Sequence, residues 1–130
     1  FSEVKLGLAP AVISPFVLER MAVSHARRYM LTGEVFGTDE ALKSGLVHFA
    51  GDEDAVDGFI EQTAKVISRN GPEAVRATKT LIMRISAEND WPGRRELTTR
   101  VIAERRASAE GQEGLRAFFE KRDPAWRSKE

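Results

Sequence analysis

Cysteine is absent from the 130-residue sequence, which excludes a disulfide framework and any thiol nucleophile. Histidine occurs only as His25 and His48, and neither has a second histidine or a cysteine at metal-site spacing, so a surface or packing role is the simpler interpretation. No apolar run has the length of a membrane span, and no signal peptide is visible. We therefore expect a cytoplasmic protein with no metal site and no membrane partner.

Net charge is also absent, because 20 basic residues balance 20 acidic ones. No overall field would attract nucleic acid or a membrane surface. The charges are nevertheless segregated: residues 34–61 hold eight acidic residues and one basic residue, whereas residues 65–129 hold fifteen basic and nine acidic residues. Two interpretations stay open, namely solvated helix faces, which charge runs usually form, or a basic surface that meets a phosphorylated ligand.

The hydrophobic pattern is mainly helical, and the length suits one small domain. Alternation over residues 1–8 predicts a short N-terminal strand, and residues 46–50 are a second candidate strand. From Ser14-Pro15 onward, helical spacing predicts a series of amphipathic helices. Short elements give way to helix after helix near residues 50–53, so we expect a boundary there.

Helix ends are predicted from small polar residues and glycine. Ser14, Ser24 and Thr38 each stand at the start of a periodic segment, where a hydroxyl can accept a hydrogen bond from a first-turn amide. Gly33 stands just past the second helix, as expected of a C-terminal cap. Turn-forming residues at 89–93 predict a loop.

A single glutamate such as Glu3 is usually a surface residue. Four segments that occur in order along the sequence give Glu3 a different interpretation. Residues 1–10, F-S-E-V-K-L-G-L-A-P, resemble the pattern F-x-x-P-E-x-x-L-G-L-x-P. L-T-G at 31–33 with A-L-K-S-G-L-V at 41–47 resembles L-T-G…A-x-x-x-G-L-V, and the helical stretch 70–79 fits the region that follows. Residues 110–126 resemble the ending E-G-x-x-A-F-x-E-K-R-x-P. These segments are similar to those of the crotonase superfamily, the enoyl-CoA hydratases and isomerases.

The resemblance implies a chain that is mostly α and forms the C-terminal half of an α/β crotonase fold. The ββα spiral of that fold would lie upstream and is absent from this sequence. Residues 1–50 would form the end of the core with the catalytic-glutamate segment, and residues 51–130 a helical region for oligomerisation and for covering acyl-CoA. The partners implied are a missing N-terminal half and further copies, as a trimer or hexamer. Because Glu3 stands so near the first residue, we expect that a preceding segment was lost.

The chemistry implied is addition of water across the double bond of a 2-enoyl-CoA. Two backbone amides upstream would stabilise the charge that develops on the thioester oxygen. Two glutamates would act as general base and general acid, and Glu3 matches the second. Lys121 matches a lysine that contacts the CoA phosphates. Phe118 is a tentative second CoA contact, with burial in the core as the alternative. No cofactor is implied, since coenzyme A belongs to the substrate.

Two departures from the family pattern bear on the reaction. Ser2 replaces a frequent proline, and A-V-I-S-P at 11–15 replaces a G-G-T-Q run. The second pattern is similar to bacterial hydratases of methylglutaconyl-CoA and carboxygeranoyl-CoA. Retention of Glu3 favours hydration, and an isomerase of the same family is an alternative. Another alternative is a non-catalytic helical interaction module, whose apolar faces would be buried against a partner.

Overall fold

The computed structural model describes residues 1–127. Within them the chain forms a 3₁₀ helix and seven α-helices, and no β-strand. The 3₁₀ helix spans Glu3–Leu6, and the α-helices are α1 (Ser14–Leu18), α2 (Val23–Thr32), α3 (Thr38–Lys43), α4 (Glu53–Ser68), α5 (Pro72–Ala87), α6 (Trp91–Ala107) and α7 (Ala109–Glu120). The mainly helical architecture predicted from hydrophobic spacing is confirmed.

Two compact units divide the chain, Phe1–Ile60 and Glu61–Glu130. The first holds the 3₁₀ helix and the short helices, and the second holds α5, α6 and α7. The division falls within α4, whereas the sequence places a change of texture near residues 50–53. The assignment of residues 1–50 to an enzyme core and of 51–130 to a covering region stays a prediction.

The core of the first unit is built from α1, α2 and the turn between them. Its buried apolar side chains are those of Val17, Met21, Ala26 and Tyr29, and partly buried Phe1, Met30, Phe36 and Leu46 pack around them. Tyr29 and Met21 are the largest fully buried side chains. This small core holds the N-terminal segment, including Glu3, against α2.

In the second unit, one acidic side chain ties the last helix to the beginning of α5. The Glu110 carboxylate of α7 accepts hydrogen bonds from the backbone amides of Glu73 (2.9 Å) and Ala74 (2.7 Å). Arg105 of α6 pairs with the Glu73 side chain at 3.2 Å. Contacts from α6 and α7 therefore meet at the first turn of α5, where Glu110 satisfies two of the free amides.

The two predicted strands are wrong. In the N-terminal segment, the Lys5 amide donates to the Ser2 carbonyl (3.0 Å) and the Gly7 amide to the Val4 carbonyl (3.2 Å), which closes a tight 3₁₀ turn. Residues 46–50 have no regular hydrogen bonding. A strand needs a neighbouring strand to pair with. Neither segment has such a neighbour in the described part of the chain, so the alternation of apolar residues was not sufficient to predict a strand.

The predicted N-caps are also wrong, although the helices start close to them. Ser14 donates its hydroxyl to the Ala11 carbonyl (3.0 Å), and Ser24 and Thr38 lie inside their helices. Side-chain caps come instead from Asp52, Asp90 and Ser108, which accept from the amides of Ala55, Gly93 and Gly111. Because Asp90 caps α6, that helix begins at Trp91, inside the predicted loop 89–93. Gly33 ends α2 with φ +61°, as predicted.

The long helix α4 is amphipathic but uncovered. Of its sixteen residues only Val56 is partly buried, and the apolar side chains of Ile60, Val66 and Ile67 are 57 %, 58 % and 49 % exposed. Among residues 1–127, no helix combines the length and the apolar composition needed to cross a bilayer. Within residues 1–127, no other segment covers the apolar face of α4.

Candidate functional site

Glu3 lies on a hydrogen-bonded turn, which we call the Glu3 turn (residues 2–8). Its backbone carbonyl accepts from the Leu8 amide at 3.0 Å, and Gly7 closes the turn in the left-handed region, at φ +74°. The Glu3 side chain is partly buried. The turn therefore holds this carboxylate on a defined backbone instead of a loose terminal segment.

Gly33 provides the surface on which the Glu3 turn rests. Its φ of +61° favours glycine, and a Cβ there would come within 3.1 Å of Val4 Cγ2 and 3.0 Å of Lys5 Cε. The L-T-G segment thus ends α2 and lets the Glu3 turn approach closely. These two segments, separate in the sequence pattern, are in contact in the structure.

A chain of aromatic rings lies beside the same turn. The ring centroids of Phe1 and Phe36 are 6.0 Å apart, and those of Phe36 and Tyr29 are 4.2 Å apart. The Tyr29 hydroxyl donates to Glu40 Oε2 at 3.0 Å, and Lys43 Nζ binds Glu40 Oε1 at 2.9 Å. These hydrogen bonds, from Lys43 and then Tyr29, lower the pKa of Glu40, while burial and then the bond to Glu40 raise the pKa of Tyr29.

The Glu3 carboxylate has no partner among the residues that the structure describes. Across residues 1–127, no side chain or amide is hydrogen-bonded to it or forms an ion pair with it. A partly buried carboxylate usually gains such a partner, because burial removes water from a charged group.

The second candidate cluster is at the end of α7. Lys121 caps this helix with φ +53°, the single positive φ among the non-glycine residues described. Its amide donates to the Phe118 carbonyl (3.3 Å), and the Arg122 amide donates to that of Ala117 (3.1 Å). The backbone turn therefore brings Lys121 and Phe118 together.

Phe118 is not a core residue, so burial in the core, the alternative drawn from sequence, is wrong. Its side chain is 76 % exposed, as is that of Phe119, and the two rings meet edge to face with centroids 5.7 Å apart. The helix turns Ala117 inward, which is 1 % exposed, and thereby leaves both phenyl rings in solvent.

Arg122 is fully engaged, which distinguishes it from its neighbour Lys121. Its guanidinium binds both oxygens of Glu113 (2.6 and 3.0 Å) and also Glu120 (2.7 Å). The Arg122 hydrogen bonds, followed by one from the Ala125 amide, lower the pKa of Glu113 to about 2. Among the described residues, no carboxylate pairs with Lys121. Of these two cations, Lys121 is the one available to an anionic ligand.

Sequence reasoning did not find the aromatic support of the Glu3 turn. Phe36 lies in a segment without periodicity, so no spacing rule pairs it with Phe1 or Tyr29. Glu3 belongs to the first unit, and Lys121 and Phe118 belong to the second. In the part of the chain that the structure describes, no group of three or more His, Cys, Asp or Glu side chains could hold a metal ion.

Comparison with known proteins gives relatives over almost the whole sequence. The sequence model of the Enoyl-CoA hydratase/isomerase family matches residues 1–129. The crystal structure of an enoyl-CoA hydratase from Shewanella pealeana superposes with a TM-score of 0.79 at 42 % identity, covering 96 % of this chain and 46 % of that one. This confirms that the helical chain corresponds to the C-terminal part of the crotonase fold.

Curated relatives carry the names of two reactions. A short-chain-enoyl-CoA hydratase of Clostridioides difficile is 35 % identical over 68 % of this chain and 57 % of its own length. A trans-2-decenoyl-[acyl-carrier-protein] isomerase of Streptococcus mutans is 24 % identical over 97 % of this chain and 48 % of its own length. The chain spans about half the length of several of the curated relatives it matches. With a family match from residue 1 to residue 129, this chain belongs to the enoyl-CoA hydratase/isomerase family of the crotonase superfamily.

Proposed function

We propose that this chain supplies the C-terminal half of the active site of a hydratase that adds water across the double bond of a 2-enoyl-CoA. The observation that carries the proposal is the partly buried Glu3 carboxylate, which has no partner within residues 1–127 and is held on a hydrogen-bonded turn. A carboxylate kept in this state suits general acid–base chemistry, which needs a positioned group free to gain and lose a proton.

In this mechanism the carbon next to the thioester receives a proton, and the next carbon receives hydroxide from water. Glu3 delivers that proton, and an upstream glutamate activates the water. Backbone amides of the upstream half stabilise the negative charge on the thioester oxygen. Family membership supports this division of roles, and the activity belongs to a protein that contains both halves.

Lys121 and Phe118 are our proposed contacts for coenzyme A. The Lys121 ammonium has no carboxylate partner within the described residues and is a compact point charge suited to phosphate. The exposed Phe118 ring, three residues before Lys121, offers an apolar face. No cofactor enters the proposal, because coenzyme A is part of the substrate.

The central test replaces Glu3 by glutamine in a preparation that includes the upstream half. We expect Glu3→Gln to lower kcat by about 10²-fold or more, because the side chain can no longer transfer a proton. Glu19→Gln is the matched control, since Glu19 is an exposed glutamate of the same unit. Unchanged turnover in Glu3→Gln would refute the proposal, as would hydration by residues 1–130 alone.

For the substrate, we propose a branched, carboxylated enoyl-CoA. Support comes from A-V-I-S-P at 11–15, where Val12 and Ile13 are 89 % and 43 % exposed and offer an apolar wall to a ligand. We expect kcat/KM for methylglutaconyl-CoA to exceed that for crotonyl-CoA by about tenfold or more. The reverse preference would remove this part of the proposal and leave hydration intact.

Double-bond isomerisation is the second candidate reaction, favoured by the name of the Streptococcus mutans relative. The products distinguish the two reactions, because hydration adds 18 Da to the acyl group and isomerisation leaves its mass unchanged. A mass spectrum of the product from a 2-enoyl-CoA therefore decides between them. A shifted double bond with no added water would favour the isomerase.

A non-catalytic interaction module is the candidate from another class, favoured by the uncovered face of α4. An adapter has no use for a thioester, so coenzyme A would leave its melting temperature unchanged. Ligand binding to the folded state raises that temperature in proportion to affinity and concentration. We also propose that the protein forms a homotrimer or hexamer, which would cover such a face. We propose a cytoplasmic location as well.

A further inference from the structure

We propose that Phe36 is a positioning residue for Glu3: it holds the Glu3 turn through Phe1 and is itself held by Tyr29. The catalytic consequence rests on the proposed function of Glu3, whereas the structural link stands independently of it. The Phe36 side chain has no group that could transfer a proton, so it is distinct from the groups that carry the chemistry.

The first step is the position of the Phe36 ring between two others. Its centroid lies 4.2 Å from that of Tyr29 and 6.0 Å from that of Phe1, both in tilted arrangements. Tilted pairs at such distances are favourable beyond the area they bury. Phe1 precedes Ser2, whose carbonyl accepts the first hydrogen bond of the Glu3 turn. The Phe36 ring thus contacts Phe1, the residue that immediately precedes the Glu3 turn.

The second step is the rigidity of the far end. Tyr29 is 1 % exposed, lies in α2, and donates its hydroxyl to Glu40, which Lys43 holds from the other side. Phe36 has no such backbone support, because residues 33–37 form no helix or strand. Its position therefore depends on the ring contacts, and Tyr29 is the fixed reference for them.

The third step is the expected effect of loosening this contact. Without the Phe36 ring, Phe1 loses its aromatic neighbour, and the Glu3 turn is held by its own hydrogen bonds, its contact with Gly33 and the remaining packing of Phe1 on the core. A small displacement of a catalytic group can cost about 10²-fold in rate. Since the proposed CoA contacts are elsewhere in the sequence, substrate affinity should change little.

The structural test measures hydrogen exchange of the Gly7 and Leu8 amides by NMR in the full chain. We expect Phe36→Ala to speed exchange at both amides by about tenfold or more, since their protection depends on turn opening. Phe36→Leu, which keeps apolar volume, should restore most of the protection. Leu46→Ala is the matched control, because it removes volume from the same core without belonging to the ring series.

Exchange at Gly7 and Leu8 that is unchanged in Phe36→Ala would overturn the inference. An equal increase in Leu46→Ala would overturn it as well, because the effect would then be general loosening of the core. If Phe36→Ala does not fold, Tyr29→Phe gives the comparison at smaller amplitude, because it removes the hydroxyl that binds Glu40 and holds the far end of the ring series. Unaltered exchange at Gly7 and Leu8 in that variant would then overturn the inference.

The kinetic test uses the preparation that contains the upstream half. We expect Phe36→Ala to lower kcat by about tenfold to 10²-fold with KM changed less than about threefold, and Phe36→Leu to recover most of kcat. A rise in KM at constant kcat would overturn the positioning role. If Glu3→Gln is fully active, the proposed function fails, while the exchange result still decides whether Phe36 holds the turn.

Discussion

Lys121 carries its ammonium group on a backbone that glycine would adopt more easily. A φ of +53° places it at the position where helices usually end in glycine. Strained residues persist where the surroundings enforce them, and they concentrate at functional sites. Here the neighbouring Arg122, which pairs with Glu113 and Glu120, holds the backbone of Lys121 in this conformation. We interpret the lysine as a residue kept for its charge at some expense in stability.

The first prediction concerns the replacement of Lys121 by glycine. Lys121→Gly should raise the free energy of unfolding by about 0.5–1 kcal/mol, because it relieves the left-handed strain. The same variant should weaken coenzyme A binding by about tenfold, the loss of one hydrogen bond to a charged group. Urea unfolding and calorimetric titration measure the two quantities. Lys121→Arg is the charge-preserving control, and a Lys121→Gly chain that binds normally would contradict the proposed role.

At the scale of the element, the end of α7 depends on one ionised carboxylate. Glu113 accepts both Arg122 donors and the Ala125 amide, and the free-chain pKa of 4.5 falls to about 2 in the folded state. A carboxyl whose folded pKa is depressed contributes stability above its unfolded pKa and loses it as the pH falls through the folded one. Stability from this residue should therefore fade between about pH 4.5 and pH 2.

The second prediction concerns stability between about pH 4.5 and pH 2. Glu113→Gln should lower the melting temperature at pH 7 and flatten its dependence on pH between 4.5 and 2, since the ionised form is no longer required. Thermal unfolding followed by circular dichroism across this range is the measurement. Glu61→Gln, an exposed glutamate of α4, is the control and should leave the slope unchanged. An identical slope in Glu113→Gln would show that other carboxyls govern acid unfolding.

The elements also show how far sequence reasoning reaches. Helices were predictable because their periodicity and their stops, such as Gly33, are local properties. The strand predicted at residues 1–8 failed because pairing is a non-local property. Glu3 and Lys121 were identified by resemblance, but the ring series through Phe36 was not, because it joins residues with no common period. Local rules thus predict the elements, and tertiary contacts decide which side chains support a site.

At the scale of the whole molecule, many large apolar side chains are exposed. Large exposed apolar patches in soluble proteins mark interfaces. The residues on α4 that carry this signal include Ile60 and Ile67, which lie seven positions apart and therefore on one face. The chain spans about half the length of several of the curated relatives it matches, so both a preceding half and further copies are candidate covers in our proposal.

The third prediction concerns this face. The double change Ile60→Lys with Ile67→Lys should reduce self-association of the chain while leaving helicity unchanged, because both side chains are about half exposed. Sedimentation velocity over a range of concentrations measures association, and circular dichroism measures helicity. Gln62→Lys is the control for added charge, as it is an exposed residue of the same helix. Association that persists in the double variant would place the contact elsewhere.

Glu110 has a consequence for the order in which the chain acquires structure. Its carboxylate caps α5 at Glu73 and Ala74, yet it is synthesised 37 and 36 residues after them. On the ribosome, the first turn of α5 therefore emerges without its acceptor and must wait for α7. Ribosomes add about 5–20 residues per second, so this interval lasts a few seconds. During that time the first turn of nascent α5 would be accessible to chaperones. Capping by Glu110 would then show that α7 has packed against α5.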